Sequence, residues 1–347
     1  MKAPGGNAIK LLWPNRRWRD DNRAEISVAS GGTECVFVAS PDQVTDAQWG
    51  SCHGIFSGGD PLTATGMDRI PNCRILVTPK VGFDNIDLEK YGAHGIPVCN
   101  VPDYGTQDVA DHAMGLLLGL MKGINRYDNR LRKDPRGNWR ATDHPLARRL
   151  STASVGIVGL GRIGTAMALR CKAFGMRVCF FDPYKPNGSD LALGIERSDS
   201  LEDLFSSSDI ISLHVPLSSE TRCMVNAGVL AAAKPGLVLI NAARGEVLDL
   251  TALHDALKEG KLGGAGLDVL PVEPADDSHP LINAWRHGEP WIEDRLIITP
   301  HSAFYTPQSL YDMRTRGITV ALKYLRTGRL ENCVNTEFLT HPRAVPV

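Results

Sequence analysis

Short apolar runs alternate with stretches of helical periodicity along most of the chain. In the first third, turn-rich or amphipathic segments such as Asn85–His94 separate apolar runs at Glu34–Val38, Gly54–Phe56, Arg74–Thr78 and Ile96–Cys99. Runs of this length are typical of buried strands, and their alternation with helices favours parallel α/β layers. The first third therefore predicts a small α/β domain.

A long, mostly buried helix is predicted from Asp108 to about Arg132. Its apolar positions recur at helical spacing and form one wide stripe, made by Ala110, Ala113, Met114, Leu117, Leu118 and Met121. From Arg132 to Arg149 this pattern ends, and the sequence becomes polar and contains proline and glycine. We interpret this second segment as an exposed arm or linker.

A second series of strands and helices follows the arm. Apolar runs predict strands at Asp209–His214, Leu237–Asn241, Gly264–Val269 and Leu296–Ile298. Between them lie helical stretches, of which Leu250–Glu259 ends at Gly260. This alternation predicts a doubly wound sheet.

The strongest local signal is SVGIVGLGRIGTAMALRCKAFGMRVCFFDPY, which starts this second series. A strand through Val155, Ile157 and Val158 runs into a G-x-G-x-x-G motif, and a helix follows. Glycines at these positions permit a tight turn, a close approach to a diphosphate and close packing of helix on strand, and the helix N-terminus favours the anion. The predicted cofactor-binding residues of this motif are Gly159, Gly161, Arg162, Ile163 and Gly164.

An aspartate ends the next predicted strand, Arg177–Phe181. Asp182 stands 18 residues after Gly164 (182 − 164 = 18). A carboxylate at this position accepts hydrogen bonds from the ribose hydroxyls of NAD and repels the 2′-phosphate of NADP. NAD is therefore the expected cofactor. Taken alone, the G-x-G-x-x-G motif would be weak evidence, because glycines are also common in ordinary loops.

Three polar residues follow apolar strands by a few positions in the second half of the chain. They are Arg244 in LVLINAARGE, Glu273 in LDVLPVEP and His301 in ITPHSAF. Ligands of open parallel sheets bind outside the carboxyl edge, so these residues are candidates for a reactive site. An arginine can hold a carboxylate, a histidine can donate a proton, and a glutamate can fix the tautomer of the imidazole. Taken singly, each has a structural explanation, as an ion pair, a helix cap or a turn.

Composition and charge narrow the class of protein. The 347 residues are 43% hydrophobic and carry a formal charge of −1, so the whole molecule has no attraction to nucleic acid or anionic membrane. Nine Lys/Arg against three Asp between Lys122 and Arg149 allow a nucleic-acid patch, but a solvated or intersubunit arm is preferred because interleaved aromatic residues are few.

The eight cysteines form no Cys-x-x-Cys pair, which indicates reduced thiols in the cytoplasm and no metal site. The N-terminus has no apolar signal region, and the longest apolar run, Ala113–Met121, is too short to span a bilayer.

Several blocks in order along nearly the whole chain resemble the D-isomer-specific 2-hydroxyacid dehydrogenase family. They are VGFDNIDL, VPDYGTQDVADHAMGLLL, VGIVGLGRIG, LHVPLSSET, LINAARGEVLD, GLDVLPVEP and TPHSAFYT. The resemblance implies two Rossmann-like or flavodoxin-like domains. A substrate-binding domain of residues 1–107 plus 308–347 would be split by an NAD-binding domain of residues 108–307. It also implies a homodimer, with an arm around residues 122–150 in the contact, and a small 2-oxo or 2-hydroxy acid as substrate.

Individual roles follow from the same resemblance. It implies that Arg244 binds the carboxylate and carbonyl of the substrate, that His301 is the acid/base, and that Glu273 is the partner of His301. The backbone amides of Val81 and Gly82 would receive the substrate carboxylate. The remaining implied cofactor contacts are Asp268 at the nicotinamide carboxamide, Ala243 on the nicotinamide side, and Val215, Pro216 and Thr221 by the adenosine.

The segments LRCKAFGMRVCFFDPY, HSAFYTPQSLYDMR and TGRLENCVN are similar to the C-terminal-binding protein subgroup of that family. Phe304 would then flank the substrate. Two features depart from the family pattern. Thr78 and Lys80 stand where arginine and glycine are usual, and the insert at residues 275–295 is long, so that Trp285 or Trp291 could reshape the pocket rim.

Two classes of function remain open on these observations. The chain is either an NAD-dependent enzyme that reduces a 2-oxo acid, or an NAD(H)-sensing, corepressor-like interaction protein with little turnover. The second class would be indicated by a peptide-docking groove or a long regulatory tail, and the sequence has no long tail. The enzyme is preferred because the predicted site is complete.

Overall fold

The computed structural model describes residues 8–15, 21–29, 31–61, 66–141 and 144–345. The chain divides into two compact units. Unit 1 comprises Met1–Gly105 and Thr306–Val347, and unit 2 comprises Thr106–Tyr305. Parts of the predicted N-terminal region and of the predicted arm, at residues 1–7, 16–20 and 142–143, lie outside the described residues.

The described residues form twelve strands and twelve α-helices. The strands are β1 (Ile9–Trp13), β2 (Thr33–Phe37), β3 (Gly54–Phe56), β4 (Ile75–Thr78), β5 (Val98–Asn100), β6 (Ser154–Val158), β7 (Arg177–Phe181), β8 (Glu196–Arg197), β9 (Ile210–Leu213), β10 (Leu237–Asn241), β11 (Leu262–Leu267) and β12 (Leu296–Ile298). The helices are α1 (Arg23–Val28), α2 (Asp46–Ser51), α3 (Leu88–Ala93), α4 (Thr106–Lys122), α5 (Ile124–Lys133), α6 (Arg162–Ala173), α7 (Ser189–Leu193), α8 (Leu201–Ser207), α9 (Ala227–Ala232), α10 (Leu250–Lys258), α11 (Pro280–His287) and α12 (Pro307–Thr327).

Unit 1 contains a five-stranded sheet in the order β2-β1-β3-β4-β5. All its pairs are parallel. This is the flavodoxin-like order, and the predicted fold class is confirmed. The prediction missed β1, although β1 pairs with both β2 and β3 inside the sheet. Its sequence, IKLLW, alternates only weakly between polar and apolar residues.

Unit 2 contains a seven-stranded parallel sheet in the order β12-β11-β10-β9-β6-β7-β8. Successive residues of β10 point to opposite faces, so Leu237 and Leu239 belong to one apolar cluster and Val238 and Ile240 to another. Helices α4 and α6 cover the second cluster, while α8, α9, α10 and α11 cover the first. The sheet is therefore doubly wound, as predicted.

The long helix predicted from Asp108 to Arg132 is two helices, and that prediction was wrong in its continuity. Gly123 has φ 64°, a left-handed conformation that ends α4 and separates it from α5. The apolar stripe belongs to α4. Helix α5 is mostly polar and is attached to the insert by the buried ion pair between Arg126 and Asp294, at 2.7 Å.

Part of the segment interpreted as an exposed arm is docked on unit 2. Trp139 is exposed over 78% of its surface, as an arm residue should be. Leu146, however, packs against the cluster of α4 and α6, and Arg148 lies 2.5 Å from Asp209. None of the helices of the described residues is long and apolar enough to cross a membrane.

Candidate active site

The glycine motif forms the turn between β6 and α6. Gly159 has φ 87°, and a Cβ on it would lie 2.8 Å from the carbonyl oxygen of His214. A Cβ on Gly164 would lie only 2.0 Å from the carbonyl oxygen of Gly159, so the helix packs directly on the turn. Gly161, by contrast, has open space around it among the described residues. The first turn of α6, at Arg162 and Ile163, presents backbone N–H groups that have no partner within the helix. This cradle fits the diphosphate of a dinucleotide.

Asp182 lies directly after β7, beside the glycine turn. Its Oδ2 accepts from the N–H of Leu160 at 2.8 Å, and its Oδ1 accepts from the N–H of Tyr184 at 3.0 Å. The carboxylate is thereby oriented by two backbone donors. Carboxylate oxygens have further lone pairs, which leaves the acceptor capacity that ribose hydroxyls require.

The residues predicted to lie by the adenosine and the nicotinamide follow β9 and β10. A Cβ on Gly159 would meet Val215 Cγ1 at 2.7 Å, so Val215 is in contact with the glycine turn. Thr221 folds back on the same loop and donates from Oγ1 to the carbonyl of Pro216 at 2.6 Å. After β10, the N–H of Ala243 donates to Asn241 Oδ1 at 3.0 Å.

Arg244 is half-buried at the end of the same loop. The buried Asn241 holds its backbone by donating from Nδ2 to the Arg244 carbonyl at 2.9 Å, and the guanidinium donates to the carbonyl of Ala243 at 2.8 Å. A Cβ on Gly245 would lie 1.9 Å from the carbonyl carbon of Leu270. Only glycine allows this approach, and it brings the Arg244 loop against the segment that leads to Glu273.

Glu273 and His301 are in direct contact. His301 Nδ1 lies 2.7 Å from Glu273 Oε2, and Glu273 Oε1 accepts from the N–H of Leu270 at 3.0 Å. A carboxylate only accepts hydrogen bonds, so Nδ1 carries the hydrogen and Nε2 is left for another partner. Their side chains are 43% and 38% exposed, so a ligand can reach this pair.

The backbone of His301 is strained. Its φ of 50° is in the left-handed region, where a side chain is unfavourable. The N–H of His301 donates to the carbonyls of Asp268 and Thr299, and the Asp268 carboxylate accepts from the N–H groups of Ser302 and Ala303, each at 2.9 Å. These bonds hold the turn after β12 in its conformation.

The predicted role of Asp268 at the nicotinamide carboxamide stays a prediction. Its side chain is only 1% exposed, and it accepts from Thr299 Oγ1 at 2.6 Å besides the two N–H groups of the turn. Its acceptor positions are largely used within the protein. A cofactor amide would have to share one of them.

Phe304 and the two tryptophans of the insert have different surroundings. The Phe304 ring stands edge-on to the His301 ring, with 6.5 Å between centroids, which keeps Phe304 beside the candidate acid/base. Trp285 and Trp291 instead pack against the core cluster covered by α10 and α11. The Trp291 ring stands edge-on to the His254 ring, with 5.4 Å between the ring centroids. Core packing is thus what the structure assigns to both tryptophans.

In unit 1, Val81 and Gly82 lie in the loop after β4. The carbonyl of Val81 accepts from Asn100 Nδ2 at 2.7 Å. None of the hydrogen bonds of the described residues has the N–H of Val81 or Gly82 as its donor. Lys80 donates from Nζ to Asn85 Oδ1 at 3.1 Å, and the buried hydroxyl of Thr78 has no hydrogen-bond partner within the described part of the chain.

Sequence reasoning missed the residues that support this site. Asn241 and Gly245 shape the Arg244 loop, and Thr299 and His112 contact Asp268. For Asn241 and Gly245 a signal was available, namely a buried asparagine at the end of a strand. For His112 the signal was weak, since a histidine near the start of an apolar helix usually belongs to the core or an interface.

Comparison with known proteins adds a family and several relatives. Residues 114–303 match the family described as D-isomer specific 2-hydroxyacid dehydrogenase, NAD binding domain. The chain is 37% identical to a glyoxylate reductase of Korarchaeum cryptofilum (strain OPF8) over 281 residues, which are 80% of this chain and 81% of that one.

Two solved structures are also similar. One is an NADPH-dependent glyoxylate/hydroxypyruvate reductase from Sinorhizobium meliloti in complex with NADP and malonate, with a TM-score of 0.80, 30% identity and coverage of 97% of this chain and 99% of that one. The other is a D-lactate dehydrogenase from Aquifex aeolicus complexed with NAD and lactic acid, with a TM-score of 0.74, 31% identity and coverage of 91% and 95%. These relatives are reductases and dehydrogenases, and the resemblance to the C-terminal-binding protein subgroup stays a prediction.

Proposed function

Since the chain belongs to the D-isomer specific 2-hydroxyacid dehydrogenase family, we propose that its substrate is a small 2-oxo acid and that Arg244, Glu273 and His301 carry the reaction. The protein is an NAD-dependent oxidoreductase that interconverts a 2-oxo acid and a D-2-hydroxy acid. Its named relatives are reductases of glyoxylate or hydroxypyruvate and a D-lactate dehydrogenase, so small 2-oxo acids are the first candidates.

The observation that carries the proposed mechanism is the 2.7 Å contact between His301 Nδ1 and Glu273 Oε2. When bound, the reduced nicotinamide supplies a hydride to the carbonyl carbon of the substrate. His301 then donates the proton on Nε2 to the carbonyl oxygen, and Nδ1 keeps its hydrogen on Glu273 throughout. In the reverse direction Nε2 accepts the hydroxyl proton. A positioned acid of this kind contributes about 10²- to 10⁴-fold to the rate.

Arg244 binds the substrate and stabilises charge in this mechanism. Its guanidinium holds the carboxylate and the carbonyl oxygen, on which negative charge develops as the hydride arrives. In unit 1, the N–H groups of Val81 and Gly82 are proposed donors to a carboxylate, which their lack of acceptors among the described residues supports. Phe304 flanks the substrate, and its edge contact with His301 supports this role.

Turnover tests the proposal directly. Purified protein is assayed with NADH against glyoxylate, hydroxypyruvate, pyruvate and larger alkyl- and aryl-pyruvates between about pH 6 and pH 8, the range in which histidine titrates. We expect NADH oxidation with at least one of them.

Arg244→Ala should lower kcat and raise KM for that acid, since a hydrogen bond to a charged group contributes about 1.5–3 kcal/mol. Unchanged kinetics would remove Arg244 from the site, and no turnover with any acid would contradict the substrate class.

We further propose that Asp182 makes the protein prefer NAD over NADP. Its place between two backbone donors at the end of β7 supports a ribose contact. Asp182→Asn removes the negative charge that opposes a 2′-phosphate and should lower the ratio of kcat/KM for NADH over NADPH about tenfold, which is about 1.4 kcal/mol. Asp190→Asn on α7 is the matched control. An unaltered ratio would contradict the ribose assignment.

The remaining proposals concern assembly and location. We propose a homodimer that forms through residues around 122–150, because Ile124 and Trp139 expose large apolar surfaces there. Light scattering of the protein and of Trp139→Ser tests this, and an unchanged dimer would remove Trp139 from the contact.

We also propose a cytoplasmic protein that does not bind nucleic acid, which the eight free thiols and the charge of −1 support.

A further inference from the structure

His112 lies in the first half of α4 and takes no part in the mechanism above. Its side chain is 25% exposed, and its Nε2 lies 2.9 Å from Thr299 Oγ1 and 3.4 Å from Asp268 Oδ1. Thr299 and Asp268 both belong to the scaffold of the His301 turn. Helix α4, which is distant in sequence from His301, therefore contacts the residues that support the candidate acid/base.

The directions of the hydrogen bonds follow from the donors available. Thr299 Oγ1 has one hydrogen, and at 2.6 Å from Asp268 Oδ1 that hydrogen points to the carboxylate. Thr299 Oγ1 is then an acceptor toward His112, so His112 Nε2 carries a hydrogen and donates it. The result is a chain of donors from His112 through Thr299 to Asp268.

Asp268 connects this chain to His301. Its buried carboxylate accepts from the N–H groups of Ser302 and Ala303, the two residues after His301. Its backbone carbonyl accepts from the N–H of His301 at 2.8 Å. A carboxylate that is 1% exposed is stable only when its oxygens are saturated with donors, and a shift of Asp268 would shift both bonds to the turn.

We propose that His112 is a positioning residue, which acts through Thr299 and Asp268 to hold His301 in its left-handed conformation with Nδ1 on Glu273. The inference rests on the proposed function, because it assigns His112 to the same site. It predicts an effect on kcat rather than on substrate or cofactor binding. His112 contacts neither substrate nor cofactor in this role.

Two variants of His112 separate positioning from simple packing. His112→Gln keeps an N–H donor near the place of Nε2, and we expect its kcat within about threefold of the wild type. His112→Leu fills similar space without a donor, and we expect kcat to fall about 10- to 100-fold, the scale of a small misplacement of a catalytic group. In both, KM and the Kd of NADH should stay within about twofold. His254→Leu, on α10 away from the site, is the control for loss of a partly buried histidine.

Thr299→Val tests whether the effect passes through the hydroxyl. If it does, the double variant His112→Leu/Thr299→Val should have the same kcat as Thr299→Val alone, within about twofold. Independent, multiplicative losses would overturn the proposal. So would a His112→Leu variant with normal kcat, or a His112→Gln variant as slow as His112→Leu.

A readout without turnover keeps this inference separate from the proposed function. In protein with isotope-labelled histidine, NMR reports which ring nitrogen of His301 is protonated, and His301→Ala assigns the signal. His112→Leu should lose the hydrogen-bonded Nδ1–H signal that the wild type and His112→Gln retain. Equal signals in all three would overturn the positioning role. Failure of the wild type to reduce any 2-oxo acid would instead contradict the proposed substrate class.

Discussion

Two histidines follow strands at the carboxyl edge of the seven-stranded sheet, and their surroundings are opposite. His301, after β12, is 43% exposed and directs Nδ1 to Glu273. His214, after β9, has a buried Nδ1 without a hydrogen-bond partner among the described residues, and its Nε2 lies 2.8 Å from Ser212 Oγ. Burial lowers the pKa of His214 to about 4.

The difference shows that a histidine at a strand end is not by itself a proton donor. His214 is neutral at physiological pH, because a charge on it would be desolvated, so it cannot act as an acid there. His301 combines accessible surface with a carboxylate partner and a backbone held by Asp268. The partner and the exposure, rather than the position in the fold, distinguish the candidate catalytic group.

Removing His301 should have the largest effect, and a small effect would contradict the difference drawn between His301 and His214. We expect His301→Ala to lower kcat about 10²- to 10⁴-fold, because the proposed general acid is lost. The Kd of NADH, measured by fluorescence titration, should change less than about twofold, since the glycine turn is a separate feature. His287→Ala on α11 is the control and should leave both quantities unchanged. A still-active His301→Ala variant would make His301 a turn residue.

Changing the partner of His301 should have a smaller effect. Glu273→Gln replaces the acceptor of Nδ1 with an amide that can turn a donor toward it, so the imidazole loses its fixed tautomer. A hydrogen bond to a charged group contributes about 1.5–3 kcal/mol, which predicts a fall in kcat of about 10- to 100-fold. Steady-state kinetics of the two variants side by side tests the order. A loss larger than that of His301→Ala would contradict Glu273 as a mere partner.

The glycine turn was predictable from sequence because its information is local. Strand, glycines, helix and Asp182 occur in one continuous stretch. Gly159 and Gly164 meet steric requirements that the structure shows, such as the 2.0 Å between a Cβ on Gly164 and the Gly159 carbonyl oxygen. Strands β7, β10 and β12 begin and end at the predicted residues for a similar reason, since each is a short apolar run between turn residues.

The support of His301 could not be predicted in this way. His112, Asp268 and Thr299 come from a helix, a strand end and a loop, and nothing in their spacing indicates that they meet. The break of the long helix at Gly123 was missed because an isolated glycine inside a helical pattern is often tolerated. The left-handed φ of His301 was hidden as well, because it depends on bonds to Asp268 that form only in the folded chain.

The smallest predicted effect concerns His214 and is an effect on the pH dependence of folding stability. An unfolded chain protonates this histidine near the ordinary histidine pKa of 6.5, whereas the folded chain does so only near 4. Between these values the unfolded state binds the extra proton, so folding stability falls as pH falls from about 6.5 to about 4 and is unaffected by His214 above that window. We expect a loss of about 1–2 kcal/mol between pH 7 and pH 5 from this group.

Urea denaturation of the wild type and of His214→Gln at both pH values measures this loss. The variant gives up the Ser212 contact and should be less stable at pH 7, yet it has no imidazole to protonate, so its stability should fall less on acidification. His53 and His279, whose pKa values burial also lowers, remain in both proteins, and the difference between the two slopes therefore isolates His214. His287→Gln should keep the wild-type slope. Equal slopes for the wild type and His214→Gln would mean that His214 is protonated as readily in the fold as outside it, and the contrast with His301 would then rest on the Glu273 contact alone.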